Sequence, residues 1–208
     1  MQKYFEWFGL PGSFVLSMLL SLFALVMALI FPTGDRMLCL AAMVFSTMGD
    51  IVLMNFKKIG DRMPVRYFYV GAALFMLAHF LYFCAFLNVI LGSGFPYFNP
   101  GFFAAAALVL TTGITVGAAA FKKGSADKKM YLLAIVYMTV IGANCETIFS
   151  FAYSAGGTAW IAAVGALSFF ISDLLIGIHR LLGITSPRLQ AAVWWFYPVG
   201  QILILLRG

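Results

Sequence analysis

The sequence predicts an all-α membrane protein, a polytopic bundle of transmembrane helices, and three observations support this fold class. Of the 208 residues, 63% are hydrophobic and only 10% are charged, against roughly 25% charged in a typical soluble domain. The apolar residues form long runs of about the 20 residues that a helix needs to span a bilayer. Short segments rich in Pro, Gly and charge separate these runs. A water-soluble globular protein is therefore excluded, and we expect a single transmembrane domain over residues 1–208.

The apolar runs predict seven spans, with eight as the alternative. The first run exceeds the 7–15 apolar residues of a signal peptide, and the segment Phe-Pro-Thr-Gly-Asp-Arg that follows it offers no small-x-small cleavage site. We therefore expect this run to be retained as a helix. In chain order the runs lie at 13–31, 38–55, 67–91, 102–121, 130–151, 158–179 and 190–206.

Basic residues in the loops predict the orientation, because Lys and Arg are retained on the cytoplasmic side during insertion. Alternate loops carry Lys57, Lys58, Arg62 and Arg66, then Lys122, Lys123, Lys128 and Lys129, then Arg180 and Arg188. The loops at 92–101 and 152–157 carry no Lys or Arg, and the loop at 32–37 carries only Arg36 beside Asp35. We expect a cytoplasmic amino terminus and an external carboxyl terminus, which favours an odd number of spans, in the plasma membrane of a bacterium.

The net charge of +6 does not indicate nucleic-acid binding, because the basic residues are confined to short loops and form no long basic face. Cys39, Cys84 and Cys145 lie inside apolar runs and are interpreted as small core residues. With two histidines and neither a His-x-x-x-His pair nor a Cys-x-x-Cys pair, the chain gives no metal signature. Gly-x-Ser-x-Gly nucleophile elbows and phosphate-binding glycine loops are absent too. We expect neither metal nor other cofactor, and membrane lipids as the surroundings.

Three acidic residues lie inside the predicted spans, where an ionised carboxylate costs at least about 2.5–3.5 kcal/mol. They are Asp50, Glu146 and Asp173. At about 1.5 Å of rise per helical residue, Asp50 and Asp173 both lie about 8–9 Å inside the cytoplasmic boundary, so we expect them to be able to share one site. Glu146 is expected further out, at roughly 24 Å. The structural alternative pairs Asp50 with a basic residue of the loop at 57–66, and Asp173 with Arg180.

Other polar residues in the spans are candidates for lining an interior cavity and binding a substrate. Ser46 lies four residues before Asp50, and Tyr197 lies four residues before Gln201, so each pair shares a helical face. The alternative is that such side chains join helices by hydrogen bonds. The candidate substrate-binding residues are Ser46, His79, Tyr82, Glu146, Ser172, Tyr197 and Gln201.

The two aspartate segments also resemble one another. Ser-Thr-Met-Gly-Asp at 46–50 and Phe-Phe-Ile-Ser-Asp at 169–173 lie on spans that run from outside to inside. A parallel duplication of three helices would produce this arrangement. The alternative is chance likeness between two apolar helices that share a small residue before Asp.

A pair of carboxylates in a low-dielectric cleft supports two kinds of chemistry. With one group protonated and the other ionised, the pair supplies an acid and a base for cleavage of an acetal-like or enol-ether bond, whose transition state has oxocarbenium character. The same pair would serve as a proton relay in a lipid or proton-coupled transporter. A sensory or purely structural membrane protein is the third reading. The residues alone leave these readings open.

Sequence blocks around these residues resemble the lysoplasmalogenase (YhhN-like) family of small polytopic membrane hydrolases. The blocks are AAMVFSTMGDIVLM at 41–54, GAALFMLAHFLYFCAF at 71–86 and AVGALSFFISDLLIGIHR at 163–180, with a looser match in GANCETIFSF at 142–151. The resemblance rests on Gly-Asp, Ala-His-x-x-Tyr and Ser-Asp steps in this order and spacing.

The resemblance implies a hydrolase whose substrate is a lysophospholipid. It would cleave the sn-1 vinyl ether bond of lysoplasmalogen to a fatty aldehyde and glycerophosphocholine or glycerophosphoethanolamine. By position, Asp50 and Asp173 are the implied catalytic residues, and His79, Tyr82 and Glu146 match further positions of the family. The lipid phosphate is expected to meet the basic cytoplasmic loops.

Overall fold

Seven α-helices, numbered in chain order, account for nearly all of the residues that the structure describes. The computed structural model describes residues 6–7, 10–54, 65–124, 127–184 and 186–207. The helices are α1 (Gly12–Ile30), α2 (Gly34–Met54), α3 (Val65–Gly92), α4 (Pro100–Lys123), α5 (Lys128–Ala155), α6 (Trp160–Leu182) and α7 (Pro187–Leu205). A 3-10 turn at Gly157–Ala159 precedes α6, and two short strands, β1 (Glu6–Trp7) and β2 (Leu10–Pro11), pair antiparallel before α1. The predicted all-α fold class is confirmed.

Each predicted apolar run coincides with one helix, and capping groups define several of the helix ends. The side chains of Asn99, Asp127 and Ser186 accept hydrogen bonds from the first turns of α4, α5 and α7. Gly124 and Gly183 adopt left-handed conformations, with φ of 61° each, where α4 and α6 end. These residues therefore set the starts of α4, α5 and α7 and the ends of α4 and α6.

Within the described ranges, five helices are long and apolar enough to cross a membrane. The apolar part of α1, Phe14–Ile30, is shorter than these five helices. The chain is therefore a multi-pass membrane protein. Seven spans and a cytoplasmic amino terminus stay predictions. The five ranges are Gly34–Leu53, Tyr67–Gly92, Pro100–Lys123, Lys128–Ala155 and Gly157–Leu182.

The chain separates into two compact units, residues 1–85 and residues 86–208. The first unit contains α1, α2 and most of α3, and the second contains the end of α3 and α4 to α7. That one domain spans residues 1–208 stays a prediction.

Glycines allow α2 and α3 to approach closely in the first unit. A side chain at Gly49 would come within 2.8 Å of the Phe75 ring, and one at Gly71 within 2.6 Å of Leu53. Small residues permit this kind of close packing between membrane helices. Gly49 is also the residue before Asp50, so the α2 face beside this aspartate packs on α3.

Consecutive helices of the second unit run antiparallel. Near the start of α4, Gly101 packs on the carbonyl of Phe149 near the end of α5. Phe149 in turn stacks edge-on with Trp160, the first residue of α6, at 6.1 Å. Gly165 of α6 and Gly200 of α7 bring their backbones together, because a Cβ at Gly200 would lie 2.9 Å from the Gly165 carbonyl oxygen.

This antiparallel order collects the described basic residues of α4 to α7 at one end of the second unit. The Lys123 ammonium donates a hydrogen bond to the Leu182 carbonyl, which joins the last turn of α4 to that of α6. At the opposite end, Arg207 is only 3% exposed, with its guanidinium 4.1 Å from the centre of the Phe86 ring. The collected residues are Lys122, Lys123, Lys128, Lys129, Arg180 and Arg188. Of the loop between α2 and α3, Lys57, Lys58 and Arg62 lie outside the described residues, as does the side chain of Arg66.

Candidate active site

Asp50 is held inside the first unit by a hydroxyl group from the preceding helix. It lies on α2, is 6% exposed, and its Oδ2 accepts a hydrogen bond of 2.5 Å from Oγ of Ser17 on α1. Ser17 is fully buried. Hydrogen bonds to a carboxylate are shorter and stronger than those between neutral groups. The Ser17 hydroxyl therefore fixes the orientation of the Asp50 carboxylate.

Two further hydrogen bonds join α1 to α2 beside Ser17. The Thr47 hydroxyl donates to the Ser17 carbonyl at 3.1 Å, so the 2.7 Å bond between Ser21 and Thr47 is donated by Ser21. Ser17 and Ser21 are one turn apart on α1, as Thr47 and Asp50 are on α2. The network thus joins two turns of α1 to the turn of α2 that carries Asp50.

Asp173 has an equivalent donor in the second unit. It lies on α6, is 9% exposed, and its Oδ2 accepts a hydrogen bond of 2.9 Å from the Tyr137 hydroxyl on α5. The neighbouring Ser172 donates to the Val193 carbonyl of α7 at 3.4 Å. Asp173 therefore faces α5, and the residue before it faces α7.

The remaining candidate residues of the first unit are buried. Ser46, one turn before Asp50 on α2, is fully buried, as is Tyr82 on α3, and His79 is 1% exposed. His79 and Tyr82 are three residues apart and lie on one face of α3. Their burial agrees with the predicted interior position, and their roles toward a substrate stay predictions.

Tyr197 and Gln201 lie on the inner face of α7. Gln201 is fully buried, and Tyr197 is 4% exposed. The Tyr197 ring packs edge-on against Phe169 at 5.5 Å and against Trp194 at 6.1 Å. Of the candidates in the second unit, Ser172 donates a hydrogen bond that joins α6 to α7, and the Tyr197 ring packs against other aromatic rings. Binding of substrate by these residues stays a prediction.

The amino-acid sequence matches a known protein family over nearly its whole length. The sequence model of the YhhN family matches residues 13–207. The chain belongs to the YhhN family. This family includes lysoplasmalogenases and is associated with hydrolase activity. No curated protein and no solved structure gave a match.

Glu146 of this YhhN-family chain is separated from Asp173. It is half-buried on α5, nine residues beyond Tyr137, which corresponds to about 13 Å along the helix axis. The residue after it, Thr147, is hydrogen-bonded to Tyr97, which lies in the segment before α4. Glu146 therefore belongs to the end of the second unit that is opposite to its basic residues.

Two residues of the site were not among the candidates from the sequence. Ser17 belongs to a series, Ser13, Ser17 and Ser21, that repeats every four residues along an apolar helix. This one-sided hydroxyl pattern was the available signal. Tyr137 had no comparable signal, because no other hydroxyl residue lies three or four positions from it in the sequence.

The described residues give no indication of a metal centre. Among them, no group of three or more His, Cys, Asp or Glu side chains is arranged to hold a metal ion. Each motif aspartate instead accepts a hydrogen bond from an uncharged hydroxyl. Such an arrangement suits proton transfer by a carboxyl group held in a fixed orientation.

Proposed function

We propose that this chain is a membrane-embedded ether hydrolase of the lysoplasmalogenase type. It cleaves the sn-1 vinyl ether bond of a lysoplasmalogen and releases a fatty aldehyde and glycerophosphocholine or glycerophosphoethanolamine. The observation that carries the proposal is the burial of two motif carboxylates, Asp50 and Asp173, each held by a hydroxyl donor, in a chain of the YhhN family.

In the proposed reaction, Asp50 and Asp173 act as general acid and general base. The protonated aspartate donates its proton to the vinyl carbon that is not bonded to oxygen, which leaves an oxocarbenium ion. The ionised aspartate stabilises this cation and accepts a proton from the attacking water. The hemiacetal formed in this way breaks its bond to the glycerol oxygen, which takes up a proton. One water molecule is consumed, and an aldehyde and an alcohol are released.

The surroundings of the two aspartates support a lipid substrate and set the roles of their partners. Ser17 and Tyr137 orient the carboxylates by donating hydrogen bonds to them. We assign contacts with the glycerol and the enol ether to the buried polar residues Ser46, His79, Tyr82, Ser172, Tyr197 and Gln201. The alkenyl tail lies among apolar helices in the membrane, and the phosphate meets the basic end that includes Lys122 and Lys123.

The direct test measures aldehyde release from lysoplasmalogen by protein purified in detergent, without any ion gradient. Asp50→Asn and Asp173→Asn should each lower kcat by about 10²–10⁴-fold, the usual contribution of general acid–base catalysis. Asp127→Asn is the matched control, because it makes the same change at a helix cap, where Asn is an equally good capping residue. Thermal unfolding of every variant shows whether it is folded.

Three results would reject the proposal in this form. A wild-type protein that releases no aldehyde but moves lipid or protons across a vesicle membrane would be a transporter. Full activity in either aspartate variant would remove that residue from the reaction. Loss of activity on treatment with EDTA would instead reassign the two aspartates to a metal site.

A further inference from the structure

Glu146 is a carboxylate inside an apolar helix. No hydrogen bond or ion pair joins its side chain to any of the described residues. It lies on the side of α5 that faces α4. One turn before it, Gly142 packs on Val109 of α4, and one turn after it, the Phe149 carbonyl packs on Gly101 of α4. An unpaired carboxylate at this depth is costly, and Glu146 is only partly buried, so part of its side chain is accessible to a ligand.

Aromatic rings surround this end of α4 and α5. The Tyr97 ring lies 5.0 Å from that of Phe98 and 5.2 Å from that of Phe102, and the last two rings are also 5.0 Å apart. Phe98 is 68% exposed. The cluster of Tyr97, Phe98 and Phe102, which we call the aromatic group, therefore presents ring surface to the surroundings.

Hydrogen bonds fix the position of the aromatic group relative to Glu146. Thr147 donates its only hydroxyl hydrogen to the Ala143 carbonyl at 2.7 Å. The 2.9 Å bond between Tyr97 and Thr147 is therefore donated by Tyr97. Since its hydrogen is used in this way, the Tyr97 hydroxyl does not donate to the Glu146 carboxylate. Asn99 strengthens the attachment by donating to the Ser150 carbonyl at 2.9 Å.

Glu146 lies close enough to Tyr97 to affect the pKa of the Tyr97 phenol. Burial raises the pKa of Tyr97 above its ordinary value, and the negative charge of Glu146 raises it further, while the bond to Thr147 acts in the opposite direction. The described lysines of the second unit lie at the opposite end. Arg207 lies at this end, but its guanidinium stacks on Phe86, which packs on Phe151, on another side of α5.

We propose that Glu146 and the aromatic group bind the ammonium group of a zwitterionic lipid, of the ethanolamine or choline type. A carboxylate supplies the counter-charge, and the faces of aromatic rings attract alkylammonium ions. A bare metal cation fits less well, because Ca²⁺ needs six to eight oxygen ligands and this group offers one carboxylate. Exposed Phe98 and Phe103 are placed to contact the acyl chains.

This site is distinct from the one proposed for hydrolysis. Glu146 is about 13 Å from the level of Tyr137 along α5, and Tyr137 is the residue that bonds to Asp173. The site therefore binds a second lipid, and its occupancy is measured by lipid binding without reference to hydrolysis.

The experiment compares lipids that share their chains and differ only in the headgroup. Purified protein in maltoside detergent is titrated with phosphatidylethanolamine, phosphatidylcholine or phosphatidylglycerol, and thermal unfolding and native mass spectrometry report binding. We expect the first two lipids to bind and to raise the unfolding temperature, and phosphatidylglycerol to bind at least about tenfold more weakly, a difference of about 1.4 kcal/mol.

Variants separate the contributions of charge and ring. Glu146→Gln should weaken ethanolamine-lipid binding about tenfold and remove the headgroup preference, and Phe102→Leu should weaken binding to a smaller degree. Asp127→Asn is the matched control, because it makes the same change from carboxyl to amide at the opposite end of α5, outside the proposed site, and should keep the preference. The unfolding temperature of each variant without added lipid shows that it is folded.

The proposal fails if phosphatidylglycerol binds wild-type protein as well as the other two lipids, since apolar contact alone would then explain binding. It also fails if Glu146→Gln keeps the headgroup preference. In that case the negative charge of Glu146 does not contribute to headgroup binding, and its side chain has only a structural role.

Discussion

At the residue scale, each motif aspartate accepts a hydrogen bond from a hydroxyl group on the preceding helix. Ser17 on α1 serves Asp50, and Tyr137 on α5 serves Asp173. The aspartates were predictable from the sequence because a carboxylate in hydrocarbon is costly and therefore conspicuous. The hydroxyl donors were not, because Ser or Tyr in a membrane helix has several ways to satisfy its single hydrogen.

The first prediction concerns Tyr137. Tyr137→Phe removes the donor to Asp173, and we expect it to lower the free energy of unfolding by about 1.5–3 kcal/mol, the range for a hydrogen bond to a charged group. The carboxylate also loses its fixed orientation, so kcat for aldehyde release should fall about tenfold or more, with KM little changed.

Tyr131→Phe is the control on the same helix. The buried Tyr131 hydroxyl has no hydrogen-bond partner among the described residues, so its removal should be neutral or stabilising. Equal effects of the two substitutions would mean that Tyr137 contributes only ring packing. For Asp50, the corresponding variant is Ser17→Ala, which removes the donor to its carboxylate.

The second prediction is a pH dependence due to Tyr97. Its pKa is raised in the folded state, mainly by burial, so the folded protein binds the phenol proton more tightly than the unfolded chain does. The stabilisation is fully present below pH 10.0, the ordinary value, and is lost as the pH rises through the higher folded value. Unfolding temperatures measured from pH 9 upward should therefore fall more steeply for wild-type protein than for Tyr97→Phe. Parallel curves would show that Tyr97 titrates alike in both states.

At the element scale, the sequence located each helix, and contacts between helices determined which faces meet. The run at 102–121 predicted α4 within a few residues, and the Asn99 cap fixed its start. The pairing of α6 with α7 depends on Gly165 and Gly200, whose backbones touch. Glycines are frequent throughout this chain, so composition alone did not single out these two.

The third prediction tests the contact between α6 and α7. Gly200→Ala places a Cβ 2.7 Å from the backbone nitrogen of Phe169, and backbone cannot move aside as a flexible side chain does. We expect the helices to be forced apart at a cost of about 1–3 kcal/mol in the free energy of unfolding. Unfolding in mixed micelles measures the change.

Gly177→Ala on α6 is the matched control for this contact. A Cβ at Gly177 meets nothing within 4 Å, and alanine favours the helix by up to about 1 kcal/mol. This variant should be neutral or more stable. If both variants behave alike, the effect at Gly200 is due to helix propensity and not to packing.

At the scale of the whole molecule, the distribution of charge predicts how the chain is inserted in the membrane. The described basic residues of α4 to α7 lie at one end of the second unit, apart from Arg207, which is buried against Phe86. Because basic loops are retained in the cytoplasm, this end is predicted to face the cytoplasm.

The fourth prediction is the resulting topology. Reporters inserted at 124–127 and at 183–186 should be cytoplasmic, and reporters at 93–99 and after the carboxyl terminus should be external. A fluorescent protein that folds only in the cytoplasm and a phosphatase that is active only outside give opposite readouts at each position. A cytoplasmic carboxyl terminus would contradict the odd number of spans.

The sequence by itself determined that this is a helical membrane protein of the YhhN family, where its helices lie, and that Asp50 and Asp173 are its most unusual residues. Long apolar runs and intramembrane charges are local properties of the chain, and a bilayer makes both of them decisive. Only the tertiary structure decided that Ser17 and Tyr137 hold these aspartates, and that Glu146 lies with Thr147, Tyr97 and Phe102 away from Asp173. A hydrogen bond between helices depends on how each helix is rotated about its axis and packed on its neighbour, and residues 33 or 36 positions apart in the chain carry no local sign of that rotation.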